Sequence, residues 1–222
     1  MSERKTLGLS PLIIVEPDPI LIEYYQIAKS LEINEMLLNK ISDGEWLYIQ
    51  SNIDQNIFLL KRLDNMGLLP DSGKVCDCGI GLGTAIFDIY LQSKALEKKY
   101  SFVGIEKQSN YVNYLNEKLL HFWCEDLELI EGDLMEQKYD NYEIVYCYTP
   151  FRDIEKLRTF YLKVISEMKK GSILIENKNF GLGELDILST ISDDILPIEL
   201  DGITIFQKNN IKNQDESLGF FI

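Results

Sequence analysis

The chain has 222 residues, of which 45% are hydrophobic, and its 22 basic and 36 acidic side chains give a net charge of −14. This size and composition predict one domain with a sizeable core. The acidic balance makes nucleic acid an unlikely partner, because such a surface repels phosphate backbones, and it favours cationic partners. No apolar run is long enough to span a bilayer, and the first residues lack the apolar core of a secretory signal. We therefore expect a cytoplasmic protein with no membrane partner.

The first part of the chain has the spacing of helices. Asp18 followed by Pro19 is typical of a helix start, and apolar residues then recur at helical spacing. A second amphipathic stretch follows, and the loop between the two carries Trp46 and Tyr48. We predict that residues 1–72 form a helical cap that leads into the rest of the domain.

From residue 74 the pattern changes to short apolar runs that alternate with helical segments. The runs predict strands at residues 74–78, 101–106, 127–131, 142–147 and 172–177, and the helical segments include 111–122 and 153–168. This alternation is typical of right-handed βαβ units, which build a parallel sheet covered on both faces.

The end of the chain departs from this alternation. Two apolar runs, 195–200 and 203–208, flank Asp201-Gly202, which is a strong hairpin signal. Pro197 lies inside the first run and cannot donate a ladder hydrogen bond, so we expect that strand at the edge of the sheet. The sheet is therefore predicted to finish with an antiparallel pair.

The stretch VCDCGIGLGTAIF joins the first predicted strand to a helix through the pattern Asp77-x-Gly79-x-Gly81-x-Gly83. Such a loop brings backbone N–H groups close to a ligand. The dinucleotide fingerprint needs its third glycine one position later, where Thr84 stands, and no lysine completes a P-loop. Asp77 would repel a pyrophosphate but suits a ligand that carries an ammonium and a sulfonium.

Four cysteines and one histidine leave little material for a metal site. Cys76 and Cys78 lie two apart on the first predicted strand, and neither pairs in a CxxC motif with Cys124 or Cys147. We interpret them as small thiols that pack in a core, and we expect no bound metal.

Four elements in chain order resemble features of the class I S-adenosylmethionine-dependent methyltransferases. They are the loop DCGIGLG, Glu106 at the end of FVGIE, Gly132-Asp133 after LELIE, and the terminal hairpin at Asp201-Gly202. The resemblance implies S-adenosylmethionine as cofactor, held by the loop with Asp77. It implies that Glu106 accepts from the ribose hydroxyls and that Asp133 accepts from the adenine amino group, with Gln108 and Leu134 lining the adenosine pocket.

Each acid also has a structural interpretation. Glu106 is also placed to cap the following helix, and Asp133 is also placed to form a turn.

The resemblance also implies the fold class, which is α/β with a Rossmann-like, doubly wound and mostly parallel sheet. Seven strands are expected in the order 3-2-1-4-5-7-6, with the last strand antiparallel, behind an N-terminal helical cap. The methyltransferase core is placed at residues 73–208 and a C-terminal tail at 209–222.

The segment CYTPF follows the fourth predicted strand, where the family places the methyl acceptor. Relatives that methylate amide or exocyclic base nitrogens show Asn or Asp, Pro, Pro, then Tyr or Phe. Here Tyr148-Thr149-Pro150-Phe151 keeps only the last two positions, which argues against adenine or glutamine as acceptor. We predict that Thr149, Pro150 and Phe151 bind substrate and that Tyr148 borders both cofactor and acceptor.

Trp46 and Tyr48 are the other aromatic candidates for substrate binding, since aromatic faces attract a sulfonium or a cationic amine. Tyr148 and Asp153 are the candidate proton acceptors, although Asp153 also fits a helix N-cap. The layout is loosely similar to that of small seven-strand protein lysine methyltransferases, and the net charge suits a basic protein segment. A small-molecule amine or hydroxyl acceptor and a noncatalytic nucleoside-binding module remain alternatives, and the sequence leaves the oligomeric state open.

Overall fold

The computed structural model describes residues 19–38, 59–123, 127–151, 153–177, 195–200 and 203–208. Its helices are α1 (Pro19–Leu38), α2 (Leu59–Asn65), α3 (Thr84–Ala95), α4 (Ser109–Tyr114) and α5 (Ile154–Glu167). Its strands are β1 (Ser72–Cys78), β2 (Lys99–Glu106), β3 (Leu127–Glu131), β4 (Ile144–Cys147), β5 (Ile173–Asn177), β6 (Ile195–Leu200) and β7 (Ile203–Lys208).

The described strands form one sheet in the order β3-β2-β1-β4-β5-β7-β6, which confirms the predicted order. The first five strands pair in parallel, and β7 runs antiparallel to both β5 and β6. Pro197 lies on β6 at the end of this order, as predicted, while Asp201-Gly202 falls outside the described residues. The strand order reverses between β1 and β4, and ligands of open α/β sheets bind beside such a reversal.

Alternation along the strands divides the core between the two faces of the sheet. On β1, Val75 belongs to the core that packs against α1, α2, α3 and α4, whereas Cys76 and Cys78 belong to the core beneath α5. We call these the first and the second core. Cys147 joins the second core, and burial raises the pKa of the Cys76 and Cys147 thiols, which keeps them neutral. The packing interpretation is confirmed for these three cysteines, and Cys124 lies outside the described residues.

The N-terminal helices pack on the first core. Helix α1 begins at Pro19, as predicted, and buries Leu21, Tyr24 and Ala28 there. Leucines of α2 join the same cluster. The division at residue 72 stays a prediction, and the loop with Trp46 and Tyr48 lies outside the described residues.

The segment after β2 differs from the single helix predicted over residues 111–122. It begins earlier as α4, widens into a π-helical turn at Leu115–Leu119 and ends in a 3₁₀ turn at Leu120–Phe122. A π turn inserts one extra residue per turn, which changes the direction in which the following side chains point. In this segment both Leu115 and Leu119 are fully buried in the first core, so the wider turn serves packing.

Close packing of β2 against the glycine loop generates a stability prediction. A Cβ at Gly104 would overlap Cδ1 of Ile80 and lie 3.1 Å from its Cβ and Cγ1. Gly104→Ala should therefore lower the free energy of unfolding by about 1–3 kcal/mol, as overpacking does. Adding Ile80→Val removes the overlapping methyl and should restore part of the loss in urea unfolding. Equal stability of the single and the double variant would contradict this packing.

Candidate functional site

The glycine loop joins β1 to α3 at the carboxyl edge of the sheet. Gly79, Gly81 and Gly83 have φ angles of +79°, +53° and +71°, which lie in the left-handed region. At Gly83 the close approach adds a second demand, because a Cβ there would lie 2.9 Å from the Tyr24 hydroxyl. The N–H groups of Gly79 and Ile80 both donate to the carbonyl of Ile105, at 2.9 and 3.0 Å. The loop is thereby fastened to the end of β2.

Glu106 fastens the loop a second time, through its side chain. Its Oε2 accepts the Gly81 N–H at 3.0 Å and its Oε1 accepts the Gln108 N–H at 2.9 Å, while only 8% of the residue is exposed. Gln108 is the N-cap residue of α4. One carboxylate therefore links the glycine loop to the start of a helix, so the helix-end role and a place beside the loop coexist at Glu106.

Asp77 lies on the same face of the sheet as Tyr146 of β4 and Gly104 of β2, its register partners. Only 3% of the residue is exposed. Burial raises the pKa of this carboxyl well above its usual value, and the neighbouring Glu106 charge raises it further. Within the described ranges no lysine or arginine pairs with it. The acid is thus placed where a cationic group would relieve its desolvation.

Asp133 follows β3 and has a different environment. Its Oδ1 accepts the Met135 N–H at 2.9 Å, an Asx-turn bond, and its Oδ2 lies 3.6 Å from the Lys107 ammonium. The hydrogen bond from the Met135 N–H and the charge of Lys107 lower the pKa of the Asp133 carboxyl. The turn interpretation of Asp133 is confirmed by this bond, and its contact with adenine stays a prediction.

The turn at Asp133 is also joined to β2. The Gly132 N–H donates to the Glu106 carbonyl at 2.9 Å. Leu134 is buried in the second core, and its carbonyl accepts the Tyr139 hydroxyl at 2.8 Å. The ends of β1, β2 and β3 therefore present Asp77, Glu106 and Asp133 in order along one edge of the sheet.

The segment after β4, residues 148–151, is called the acceptor turn below. Thr149 has φ +42°, which is an outlier for a β-branched residue. Pro150 reaches the glycine loop, since its Cβ lies 3.7 Å from the position that a Cβ on Gly79 would take. Such strain persists only where surrounding contacts impose it, and it is common at functional sites. Tyr148 is partly buried against the first core, and burial raises the pKa of its phenol, so the hydroxyl stays protonated near neutral pH.

Phe151 and Asp153 anchor the acceptor turn to α5. The Phe151 ring meets Phe160 edge to face at 5.5 Å, and the Lys156 ammonium lies 4.3 Å from the Phe151 centroid. Asp153 is the N-cap of α5, because its Oδ1 accepts the Lys156 N–H at 2.8 Å. Both side chains thus have structural partners, and their roles in substrate binding and proton transfer stay predictions.

One residue beside the loop was not found from the sequence. The Tyr24 hydroxyl of α1 donates to the Leu82 carbonyl at 2.8 Å. The helical spacing places Tyr24 on the apolar face of α1. No pattern in the sequence indicates which group its hydroxyl contacts.

Within the described ranges, no helix is long and apolar enough to cross a membrane. In the same ranges, no group of three or more His, Cys, Asp or Glu side chains is arranged to hold a metal ion.

The buried acids generate a prediction about pH. A carboxyl whose pKa is raised in the folded state binds its proton more tightly there, so stability falls as pH rises from the unfolded pKa through the folded one. Asp77→Asn should remove this fall and raise the free energy of unfolding at neutral pH by about 1–3 kcal/mol. Denaturant unfolding measured between about pH 4 and about pH 8 checks the slope.

Asp88 of α3 provides the matched variant, because burial raises its pKa to about 6 and Gln92 is its hydrogen-bond partner. Asp88→Asn should change the pH slope in the same direction. An unchanged slope in Asp77→Asn would contradict the assignment of a raised pKa to Asp77.

Solved structures share this fold, whereas no family model and no curated protein matches the sequence. A methyltransferase of Podospora anserina, solved with S-adenosylhomocysteine, is 10% identical with a TM-score of 0.59, over 87% of this chain and 89% of that one. A Klebsiella pneumoniae protein assigned to the O-methyltransferases is 12% identical with a TM-score of 0.58, over 89% and 93%. A Listeria monocytogenes protein assigned to class I is 12% identical with a TM-score of 0.59, over 85% and 69%. The chain has the fold of the class I S-adenosylmethionine-dependent methyltransferases.

Proposed function

We propose that this chain is an S-adenosylmethionine-dependent methyltransferase whose donor lies across the carboxyl ends of β1, β2 and β3. The observation that carries the proposal is the Glu106 carboxylate, which is buried and bound to the Gly81 N–H of the glycine loop. The Podospora anserina methyltransferase of the same fold was solved with S-adenosylhomocysteine bound, which supports this choice of ligand.

The three acids have distinct proposed roles. Asp77 is buried without a lysine or arginine partner among the described residues, and an α-ammonium group of the donor would supply that charge. Glu106 would accept from the two ribose hydroxyls. Asp133, with Gln108 and Leu134 nearby, would border the adenine.

The donor supplies an activated methyl group on its sulfonium, so the protein mainly aligns the acceptor and excludes water. The acceptor turn would do this, because Pro150 packs beside Gly79 and Tyr148 is partly buried next to it. The oxygen of the protonated Tyr148 phenol is suited to accept an N–H hydrogen bond from a neutral amine, which leaves the nitrogen lone pair free to attack the methyl group. Among the described residues of this turn and its flank, Asp153 is already engaged as a helix cap.

These contacts favour an amine over a hydroxyl as acceptor. An amine that enters in its neutral form needs no base to become nucleophilic, whereas a hydroxyl must lose its proton during transfer. We propose a lysine in a basic protein segment, because the net charge of −14 attracts cationic partners. The Phe151 ring already has the Lys156 ammonium over one face. Of the two described aromatic rings in the acceptor turn, Tyr148 is therefore the better contact for a substrate amine.

Two other functions compete with this one. A small-molecule amine would satisfy the same chemistry as a protein lysine. A noncatalytic module that binds the donor is favoured by the departure of Tyr148-Thr149 from the motif of the amide and base methyltransferases.

Calorimetry with S-adenosylhomocysteine tests the donor site. The wild-type chain should bind it, and Glu106→Ala should weaken binding on the order of 100-fold, because hydrogen bonds to a charged group are strong. Glu106→Gln keeps one acceptor oxygen and should have an intermediate affinity. Absence of binding by a folded wild-type chain would refute the proposal.

Glu131→Gln is the matched control. Glu131 is the register partner of Glu106 on β3 and accepts from the Ser109 hydroxyl at 2.5 Å, on the exposed side of that edge. The Glu131→Gln variant should bind S-adenosylhomocysteine with the affinity of the wild type. Thermal unfolding of each variant separates a lost contact from a lost fold.

Labelling of a cell lysate with methyl-labelled donor tests the acceptor class. Label should enter proteins and be recovered as methyl-lysine after hydrolysis, with Glu106→Ala as the inactive control. Label confined to small metabolites would overturn the lysine assignment in favour of a small-molecule acceptor. Firm binding of S-adenosylhomocysteine without any labelled product would favour the noncatalytic module.

A further inference from the structure

Helix α1 contacts the glycine loop through the side chain of Tyr24. The Tyr24 hydroxyl donates to the Leu82 carbonyl at 2.8 Å across 58 residues of sequence, and the side chain is fully buried. Its ring stacks on Phe87 of α3, with centroids 4.1 Å apart and planes 15° apart. The tyrosine therefore contacts both the loop and the helix that follows it.

The other side of the loop is fastened to β2. The Ile105 carbonyl holds the N–H groups of Gly79 and Ile80, and the Glu106 carboxylate holds that of Gly81. Leu82 comes next in the chain, and its carbonyl accepts the hydrogen bond of the Tyr24 hydroxyl. The loop is thus held from two directions, with α1 providing the second.

The fit around Gly83 leaves little room for movement. A Cβ at this position would lie 2.9 Å from the Tyr24 hydroxyl and 3.2 Å from Cδ2 of Leu115. The loop cannot shift toward α1 while Tyr24 occupies this position, because close-packed interiors resist such displacement.

The hydroxyl is also held in its donor state. Burial raises the pKa of Tyr24 well above its usual value. Tyr24 is therefore a neutral hydrogen-bond donor near neutral pH.

We propose that Tyr24 is a positioning residue for the glycine loop, through which helix α1 sets the affinity for the donor. The identity of the ligand rests on the proposed function, whereas the effect on the loop does not. Tyr24 is not in itself a contact for the ligand, since it acts on the main chain of Leu82.

The test replaces Tyr24 with Phe, which keeps the stacking on Phe87 and removes only the hydroxyl. Tyr100→Phe is the matched control, because the Tyr100 hydroxyl also donates to a backbone carbonyl, that of Pro70 at 2.5 Å. Tyr100 lies near the start of β2, at the opposite edge of the sheet from the loop. Both variants lose one hydrogen bond from a tyrosine hydroxyl to a backbone carbonyl, which is buried at Tyr24 and partly buried at Tyr100, so both should lose stability.

Only Tyr24→Phe should affect the loop. Its dissociation constant for S-adenosylhomocysteine should rise about fivefold, the equivalent of one net hydrogen bond, while Tyr100→Phe stays close to the wild type. In the absence of ligand, amide hydrogen exchange over residues 79–83 should be faster in Tyr24→Phe than in Tyr100→Phe.

The outcomes separate this inference from the proposed function. If Tyr24→Phe binds S-adenosylhomocysteine as tightly as the wild type does, the positioning role of Tyr24 is overturned. The same holds if binding is weakened equally in both variants. In either case the proposed donor site stands. If the wild type does not bind S-adenosylhomocysteine, the proposed function fails. The exchange measurement then decides the effect on the loop alone, and equal exchange in the two variants overturns it.

Discussion

The geometry of the candidate site depends on the bond between the Gly81 N–H and the Glu106 carboxylate. Three glycines with positive φ make the loop conformation accessible, but glycine also has many other conformations to lose. The carboxylate selects one of them by fixing the middle of the loop to the end of β2. Because the same carboxylate binds the Gln108 N–H, the loop and the start of α4 are set by one charged group.

This arrangement buries charge in a way that folding alone does not explain. Asp77 and Glu106 are both nearly inaccessible to solvent. Burial raises the free-energy cost of ionising Asp77, and the charge of Glu106 raises it further. A buried carboxylate without a matching cation destabilises a chain, and an apolar residue at position 77 would pack at lower cost. Retention of such a group at the reversal of strand order is understandable if a cationic ligand completes it. Stability and ligand binding are then opposed at Asp77.

The sheet could be predicted from the sequence because its signals are local and repeated. Apolar runs separated by helical segments indicate parallel strands, and Pro197 marks an edge since it lacks an N–H for the ladder. The acids at the strand ends were predictable for the same reason, because a motif places them at fixed distances from a strand.

Contacts between distant segments were not predictable in this way. The π turn at Leu115–Leu119 depends on the space available in the first core. The spacing of apolar residues along the sequence does not indicate that space. The bond from Tyr24 to Leu82 spans 58 residues, and Phe151 meets Phe160 only after α5 folds back on the sheet. Tertiary packing decides such details, so the acceptor side of the site was less accessible to sequence reasoning than the donor side.

The acceptor turn is held mainly by packing, whereas the glycine loop is held by hydrogen bonds to β2. Tyr148 packs against the first core and Phe151 against the second, so the four residues cross from one face of the sheet to the other. This crossing, together with the contact of Pro150 beside Gly79, accounts for the left-handed backbone at Thr149, since contacts on both sides impose it. The two ends of the turn are therefore set by packing, with Tyr148 held against the first core and Phe151 held on α5 through Phe160.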